Sequence, residues 1–259
     1  MSTWTLAMAT HGAGERPAGP MYRSIVAVDL EGSTTRTNPV KGELRRTIYD
    51  LLGRALEAAP VPSSHLEPLT DRGDGVLLLI RPHDDVPKTV LLDRLIPVLA
   101  LLMADHNAAV THPELRVRLR AVVHAGEVHV DSRGFYGEAI DVAIRLLDAA
   151  PLKSALRTSD SPLVLVVSDE IYYGVIAHGY IEGDTYRPLV RTRVASKQHR
   201  GWVHIPDLDA RPALSALSSS AGPWGHRAAR SGPCTTSRRT TPTRLGGQIR
   251  RDHHAGQAG

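Results

Sequence analysis

Two acidic residues follow an apolar segment near the start of the chain, in the stretch YRSIVAVDLEGSTTRT. Asp29 and Glu31 stand where a strand suited to burial ends, and the small residues 32–34 come directly after them. Carboxylates at a buried strand end repel each other and lose hydration, so they need a cation or hydrogen-bond donors. The stretch predicts either a metal site, with Glu31 as a solvated or structural acid, or an ordinary strand-to-helix turn capped by Asp29 and Thr34.

A further acid, Asp74, lies between two apolar segments in the sequence LTDRGDGVLLLI. Gly73 and Gly75 flank it and predict a β-hairpin tip, where an acid between glycines is ordinary turn chemistry. If the hairpin lies beside the first strand, Asp29 and Asp74 converge, and two close carboxylates suit Mg²⁺ bound to phosphate oxygens and water. The turn at 32–34 then offers backbone N–H groups to phosphates. Together the two segments predict a site for a metal-bound nucleoside triphosphate.

A third motif, GFYGEAIDVAIR, places Asp141 and Arg145 four residues apart, on one face of a predicted helix. Alone, such a pair is typical of a solvated helix surface and contributes little to stability. The sequence has no Cys/His spacing typical of a metal site and no nucleophile-elbow signature, which argues against zinc chemistry and Ser-His-Asp hydrolysis.

The segments around these motifs alternate between strand-like and helix-like patterns. The order βαββαβ, followed by further α and β segments, predicts an α+β, ferredoxin-like sheet with helices packed on one face. The strand LRVRLRAVVHAGEVHVD alternates apolar and polar residues, so we expect it to expose one face to solvent. In chain order we expect a strand at about 23–29, a helix at 40–59, a hairpin within 65–82, a helix at 87–109 kinked at Pro97, a strand within 115–131, a helix at 137–151, a strand at 163–168, a helix at 169–179 and an extended stretch at 185–205.

Composition divides the chain into three parts. Residues 1–20 are rich in Gly, Pro and Ala and predict a disordered extension, with Met21 as the natural start. Residues 21–206 predict the folded domain. Residues 207–259 are rich in Ser, Thr, Arg and Gly and predict a disordered basic tail.

The charge and the cysteine count limit the partners and the compartment. The net charge of +4 arises in the tail, which from Arg211 onward has eight arginines and one acid. Because Trp224 is the only aromatic residue in this tail, the sequence does not favour nucleic-acid binding by the tail. The chain has no apolar stretch typical of a membrane span and no signal-peptide pattern. A single cysteine, Cys234, excludes an intrachain disulfide and fits a reducing cytoplasm.

Five motifs in order resemble the bacterial type of class III nucleotide cyclase catalytic domain. VDLEGSTT is similar to the segment whose first Asp binds both metal ions, and DRGDGVLLLI to the hairpin with the second metal Asp. RLRAVVHAGEV resembles the central strand, GFYGEAIDVAIRLLDAA the helix that supplies transition-state residues, and LVVSDEIY the strand and helix after it. The resemblance extends from about residue 22 to 202.

The resemblance implies a homodimer with shared active sites and two Mg²⁺ or Mn²⁺ ions. Asp29 and Asp74 would bind the metals, Arg145 of the second chain would stabilise the pentavalent phosphorus, and Asp141 occupies the other transition-state position. The implied reaction is attack of the ribose 3′-oxygen on the α-phosphate with release of pyrophosphate. The positions implied to contact the nucleotide are Leu30, Gly32, Ser33, Thr34, Thr70, Gly134 and Lys197.

Three positions depart from the family pattern. Thr70 replaces the purine-selecting lysine of adenylate cyclases, Gly134 replaces the Asp or Thr that assists it, and Asp141 replaces an asparagine. An amide can donate a hydrogen bond to the ribose, whereas an ionised carboxylate cannot. Two hypotheses follow. One is a metal-dependent, triphosphate-binding cyclase that is not an ordinary adenylate cyclase. The other is an inactive cyclase-homology module that regulates through dimerisation or nucleotide occupancy.

Overall fold

The computed structural model describes residues 19–208. The predicted N-terminal extension, 1–20, and the predicted basic tail, 207–259, lie almost wholly outside these residues, so both stay predictions. Among the described residues, the first strand begins at Met21 and the last strand ends at His204.

Within 19–208, eight strands form one sheet. Their bounds are β1 Met21–Leu30, β2 Thr70–Asp71, β3 Gly75–Ile80, β4 Leu119–Asp131, β5 Gly134–Tyr136, β6 Leu163–Ser168, β7 Arg187–Val194 and β8 Lys197–His204. The strand order is β2-β3-β1-β4-β6-β8-β7, with β5 paired to β4. Only the β4–β6 pairing is parallel among these strands. This mixed sheet confirms the predicted α+β class.

The helices pack against both faces of the sheet. They are α1 Asn38–Ala58, α2 Lys88–Val90, α3 Ile96–Ala109, α4 Glu138–Leu147, α5 Ala150–Thr158 and α6 Asp169–Ile171. One core lies between the sheet and α1, α3 and α6, and it includes Val26 and Val28 of β1. The alternate residues Ile25 and Ala27 belong to a second core, formed with α4 and α5. The prediction of helices on one face was therefore wrong, because β1 is apolar on both faces and each face must be covered.

The central strand, β4, is also covered by helices on both faces. Residues 119–125 of β4 are buried except for Arg120, which is intermediate, so this half of the strand has no solvent-exposed face. Toward Asp131 the strand becomes more exposed, although Val128 is still buried in the core formed with α4. The prediction of one exposed face was wrong for the first half, because helices pack on both sides of it.

A π-helical turn lies just before Pro97, where the sequence predicts a kink. Residues Leu91–Leu95 form this turn between α2 and α3. Pro97 has no backbone N–H, so the carbonyl four residues earlier lacks its usual helical donor, and a wider turn accommodates the change. The helix continues to Ala109, as predicted.

Candidate functional site

The two acids singled out in the sequence lie at the same end of the sheet. Asp29 is the penultimate residue of β1 and pairs in register with Gly75 of β3 and Arg120 of β4. Asp74 immediately precedes β3, and its carbonyl accepts a 3.0 Å hydrogen bond from the N–H of Leu30. Antiparallel pairing of β1 with β3 thus places the end of one strand beside the start of the other.

Glycines allow the close approach of the hairpin to β1. Gly73 has a φ of 82°, in the left-handed region where residues with side chains are strained. A Cβ at Gly75 would collide with the carbonyl oxygen of Val28, so only glycine fits against β1 there. The two glycines in DRGDG therefore allow the hairpin tip to approach β1 and bring Asp74 to the end of that strand.

Asp29 and Asp74 line one cleft with a volume of about 390 Å³. Six of the predicted site residues are found here: Asp29, Leu30, Gly32, Ser33, Thr34 and Asp74. The remaining lining residues are Val28, Arg72, Arg120, Ile144, Leu147, Asp148 and Lys153. The geometry brings the predicted metal and phosphate residues together, while their binding roles stay predictions.

Both acids already have partners within the chain. The guanidinium of Arg120 forms an ion pair with Asp29, whose side chain is 19% exposed. The hydroxyl of Ser33 donates a hydrogen bond to Asp74. Burial lowers the pKa of the Arg120 guanidinium from its usual value, and the nearby charge of Asp148 acts in the opposite direction. The carboxylates are thus compensated by one cation and one hydroxyl.

Glu31 has a structural partner outside the cleft. Its carboxylate pairs with Arg118 at 2.7 Å. Arg118 also donates to the carbonyls of Leu156 and Ser159, at the end of α5. This network ties the end of β1 to α5, as expected of a structural acid.

The donor set in the cleft fits a hard divalent cation that brings further ligands with it. Two carboxylates and the Ser33 hydroxyl are oxygen donors of the type that Mg²⁺ prefers. Among residues 19–208, no group of three or more His, Cys, Asp or Glu side chains forms a metal-binding cluster. A cation held by Asp29 and Asp74 would therefore need phosphate oxygens and water to complete its coordination.

Sequence reasoning missed four charged residues that line the cleft, namely Arg72, Arg120, Asp148 and Lys153. Lys153, at the start of α5, lies 3.6 Å from Asp148. Arg120 could have been suspected, since it is a charged residue in a strand that is otherwise apolar at this end. Lys153 gives no such signal, because its position depends on where α5 packs.

The other predicted site residues lie outside the cleft. Asp141 and Arg145 are exposed on α4, and the structure shows no ion pair between these two described side chains. Lys197 is 70% exposed and its ammonium lies 3.3 Å from Glu138, at the start of α4. The remaining two are Thr70, exposed on β2, and Gly134, which begins β5.

The strand register explains this separation. Asp29 lies opposite Arg120, near the start of β4, whereas Gly134 pairs with Asp131 at the far end of that strand. Lys197 begins β8, which runs antiparallel to β6 and reaches Ser168 only at Gly201. Gly134 and Lys197 therefore lie toward the end of the sheet opposite Asp29, and one chain does not bring these two residues to the cleft.

A second cavity of about 340 Å³ adjoins the cleft between α1 and the β2–β3 hairpin. It shares Leu30, Ser33, Thr34 and Asp74 with the first. Its other lining residues are Lys41, Arg45, Ile48, Tyr49, Gly73, Gly75 and Val76. The turn at 32–34 thus separates a polar cleft from a largely apolar one.

Solved structures of nucleotide cyclases are similar to this domain. An adenylate/guanylate cyclase/hydrolase from Silicibacter pomeroyi aligns over 73% of this chain and 99% of its own, with 20% identity and a TM-score of 0.53. This domain has the class III nucleotide cyclase fold. The adenylyl cyclase CyaB from P. aeruginosa aligns over 73% of this chain and 97% of its own, with 15% identity and a TM-score of 0.49. The guanylyl cyclase Cya2 aligns over 74% of this chain and 96% of its own, also with 15% identity and a TM-score of 0.49.

The likeness is one of fold. No protein-family model matches the chain, and no curated protein matches it in sequence. The predicted cyclase-like architecture is confirmed. The ligands and the activity of the domain are inferred from the residues of the cleft. Within residues 19–208, no helix has both the length and the apolar character needed to cross a membrane.

Proposed function

We propose that this cyclase-fold domain binds a nucleoside triphosphate with divalent metal and converts it to a 3′,5′-cyclic nucleotide. The observation that supports this most is the meeting of Asp29 and Asp74 in one cleft, although 45 positions separate them in the chain. Carboxylates that are partly shielded from water are costly unless a cation compensates them, and among the described residues Arg120 pairs with Asp29 while Asp74 is in no ion pair. The arrangement favours a cation-binding site over a structural turn.

In this proposal the cleft holds the metal and the phosphates. Asp29 and Asp74 bind the metal, and the carbonyl of Leu30 assists them. The N–H groups of Ser33 and Thr34, at the start of the short turn Ser33–Thr35, would donate to phosphate oxygens. Arg72 and Lys153 line the same cleft and add positive charge beside the phosphates.

The residues outside the cleft act from a second copy of the chain. Asp141, Arg145 and Lys197 lie on an exposed side of the domain, toward α4. In an antiparallel homodimer, this surface of one protomer would face the cleft of its partner, so that each site takes residues from both chains. Arg145 would then neutralise charge that develops on the phosphoryl oxygens.

The reaction is an intramolecular displacement. The ribose 3′-hydroxyl loses its proton to water and its oxygen attacks the α-phosphorus. The bond from the α-phosphorus to the oxygen that bridges to the β-phosphate breaks, and pyrophosphate leaves. Divalent ions bound in the cleft would make the 3′-hydroxyl more acidic and neutralise the leaving group. Ser33 and the turn around it hold the triphosphate in line, and Arg145 acts on the transferred phosphoryl group.

Two observations favour a second candidate, an inactive module that responds to nucleotide occupancy or dimerisation. Asp141 stands where the ribose-orienting amide is expected, and its carboxylate repels a triphosphate. Asp29 is also neutralised within the chain by Arg120. Such a module would bind the metal–nucleotide complex without forming product.

A product assay separates the two. The full chain is incubated with each of the four ribonucleoside triphosphates and Mn²⁺ or Mg²⁺, while cyclic product and pyrophosphate are measured. Product from one base, absent with Asp74→Ala, supports the cyclase. Metal-dependent binding without product supports the regulatory module. No binding of any triphosphate would overturn both the cyclase and the nucleotide-responsive module, and would leave regulation through dimerisation alone.

A further inference from the structure

Arg120 occupies the cleft carboxylate that the proposed function assigns to the metal. Its guanidinium pairs with Asp29 across β1 and β4, and its side chain is only 11% exposed. It also lines the cleft next to Asp148. Asp29 therefore meets any incoming cation with a cation already in place.

Arg120 is less firmly bonded than the arginine two residues before it. Arg118 donates to Glu31 and to the carbonyls of Leu156 and Ser159. Arg120 has Asp29 as its ion-pair partner, and its buried Nε has no hydrogen-bond partner among the described residues. Only one of its donor groups is satisfied by Asp29, so Arg120 gains further hydrogen bonds if acceptor oxygens enter the cleft.

We infer that Arg120 is an internal counter-ion that keeps the cleft from binding a bare divalent ion and makes it bind the ion together with phosphate. The inference rests on the proposed function, since it concerns the same cleft. It adds a condition for ligand binding, namely that the metal and the phosphates enter as one complex.

The physical reason is that Arg120 competes with a bare metal ion for Asp29, but can exchange Asp29 for phosphate oxygens when the ion enters with phosphate. An opposite charge within about 4–6 Å changes the affinity of a carboxylate for a proton by roughly 10- to 1,000-fold, and the same competition applies to a metal ion. A bare ion must displace the guanidinium and deprive it of its ion-pair partner in a largely buried position, which is costly. A metal–phosphate complex instead offers Arg120 phosphate oxygens, which a guanidinium can bind with two parallel hydrogen bonds.

The test compares two ligands on full-length variants. Mn²⁺ alone is titrated into wild type, Arg120→Gln and Arg120→Lys, with free Mn²⁺ measured by electron paramagnetic resonance. The preformed complex of Mn²⁺ with inorganic tripolyphosphate is titrated separately by calorimetry. Arg118→Gln is the matched control, because it removes a neighbouring ion-paired arginine that does not line the cleft.

We expect Arg120→Gln to bind bare Mn²⁺ about tenfold or more tightly than wild type. The same variant should bind the tripolyphosphate complex roughly tenfold or more weakly, since it loses hydrogen bonds to charged oxygens. Arg120→Lys should restore weak binding of bare Mn²⁺. Opposite changes for the two ligands cannot come from a loss of folding, which would weaken both.

Other results would overturn the inference in distinguishable ways. If Arg120→Gln binds bare Mn²⁺ no more tightly than wild type, while Asp29→Asn abolishes binding of the complex, the inference is wrong and the proposed function stands. If Arg118→Gln tightens Mn²⁺ binding equally, the effect is one of general charge, and the inference is again wrong. If wild type and all variants bind neither ligand, the proposed function is overturned and the inference with it.

Discussion

The acidic side chains at the two ends of the β1–β3 strand pair differ in how many arginine partners they have. At one end, Glu67 is 8% exposed and accepts hydrogen bonds from both Arg23 and Arg81, at 2.8–3.1 Å. At the other end, Asp29 is paired with Arg120, and Asp74 accepts a hydrogen bond from the hydroxyl of Ser33. Glu67 thus has two arginine partners, whereas Asp29 has one, and Asp74 is in no ion pair among the described residues.

The comparison shows how a structural acid differs from a candidate binding acid within one sheet. The arginines around Glu67 fill its oxygens and close the segment that leads into the hairpin against β1. The cleft acids have unfilled lone pairs and open onto a cavity of about 390 Å³. We therefore expect Glu67 to determine stability and the cleft acids to determine ligand binding.

The largest effect is expected from Glu67→Gln. Removing one partner of a buried ion pair leaves the other charge uncompensated, so the free energy of unfolding should fall by about 3 kcal/mol. Chemical denaturation at neutral pH measures this change. The exposed pair of Asp50 with Arg54 supplies the control, since Asp50→Asn should change stability by less than about 0.5 kcal/mol. Equal effects of both changes would remove the distinction between the two ends.

The same variant has a predictable pH dependence. Hydrogen bonds from Arg81, and then from Arg23, hold the pKa of Glu67 below its ordinary value. A carboxylate with a lowered folded-state pKa stabilises the fold above its unfolded pKa, and this contribution disappears as the pH falls through the folded-state value. The stability difference between wild type and Glu67→Gln should therefore shrink below about pH 4.5. A difference that grows in acid would contradict this assignment.

Asp74→Asn should weaken ligand binding strongly and change stability little, the reverse of what we expect for Glu67→Gln. Loss of a partner outside the coordination shell already costs 10- to 100-fold in metal affinity, so loss of a ligand should weaken metal-dependent triphosphate binding by at least roughly 100-fold. Unfolding should change little, because the amide oxygen can still accept the hydrogen bond from Ser33. Binding is measured by calorimetry. Asp71→Asn is the control, since Asp71 lies on the same hairpin, pairs with Arg45 and does not line the cleft.

Asp141→Asn should have a smaller effect in the favourable direction. An amide restores a donor to the ribose and removes a negative charge, so turnover should rise by about tenfold, below the 10²–10³ typical of a fully integrated donor. Steady-state product formation measures this. Asp105→Asn, an exposed position on α3, controls for net charge. An unchanged rate would show that Asp141 is not what limits turnover.

Mixing two inactive variants tests whether the two sets of residues meet across a dimer. Asp74→Asn and Arg145→Ala should each be inactive alone. In an equal mixture, half of the dimers are mixed and each has one intact site, so about a quarter of the wild-type activity should return. No recovery after subunit exchange would mean that Asp74 and Arg145 do not act in one shared site.

Local patterns in the sequence predicted the elements well. The β1 strand, α1, the hairpin at Asp74, α4 and the buried strand β6 all occur close to their expected positions. Their signals are short-range, because helical spacing, strand-like runs and glycine-flanked turns depend on neighbours in sequence. The short strand β5 was missed, since its three residues carry no periodicity.

The sequence by itself determined the residue types in the candidate site and the elements that hold them, including two acids at strand ends and a turn of small residues. Only the tertiary structure decided which charges meet. Cross-strand register sets Arg120 against Asp29, packing of α5 brings Lys153 to the cleft, and helices cover both faces of the sheet. These contacts join residues far apart in the chain, and they depend on how the strands pair rather than on any local pattern.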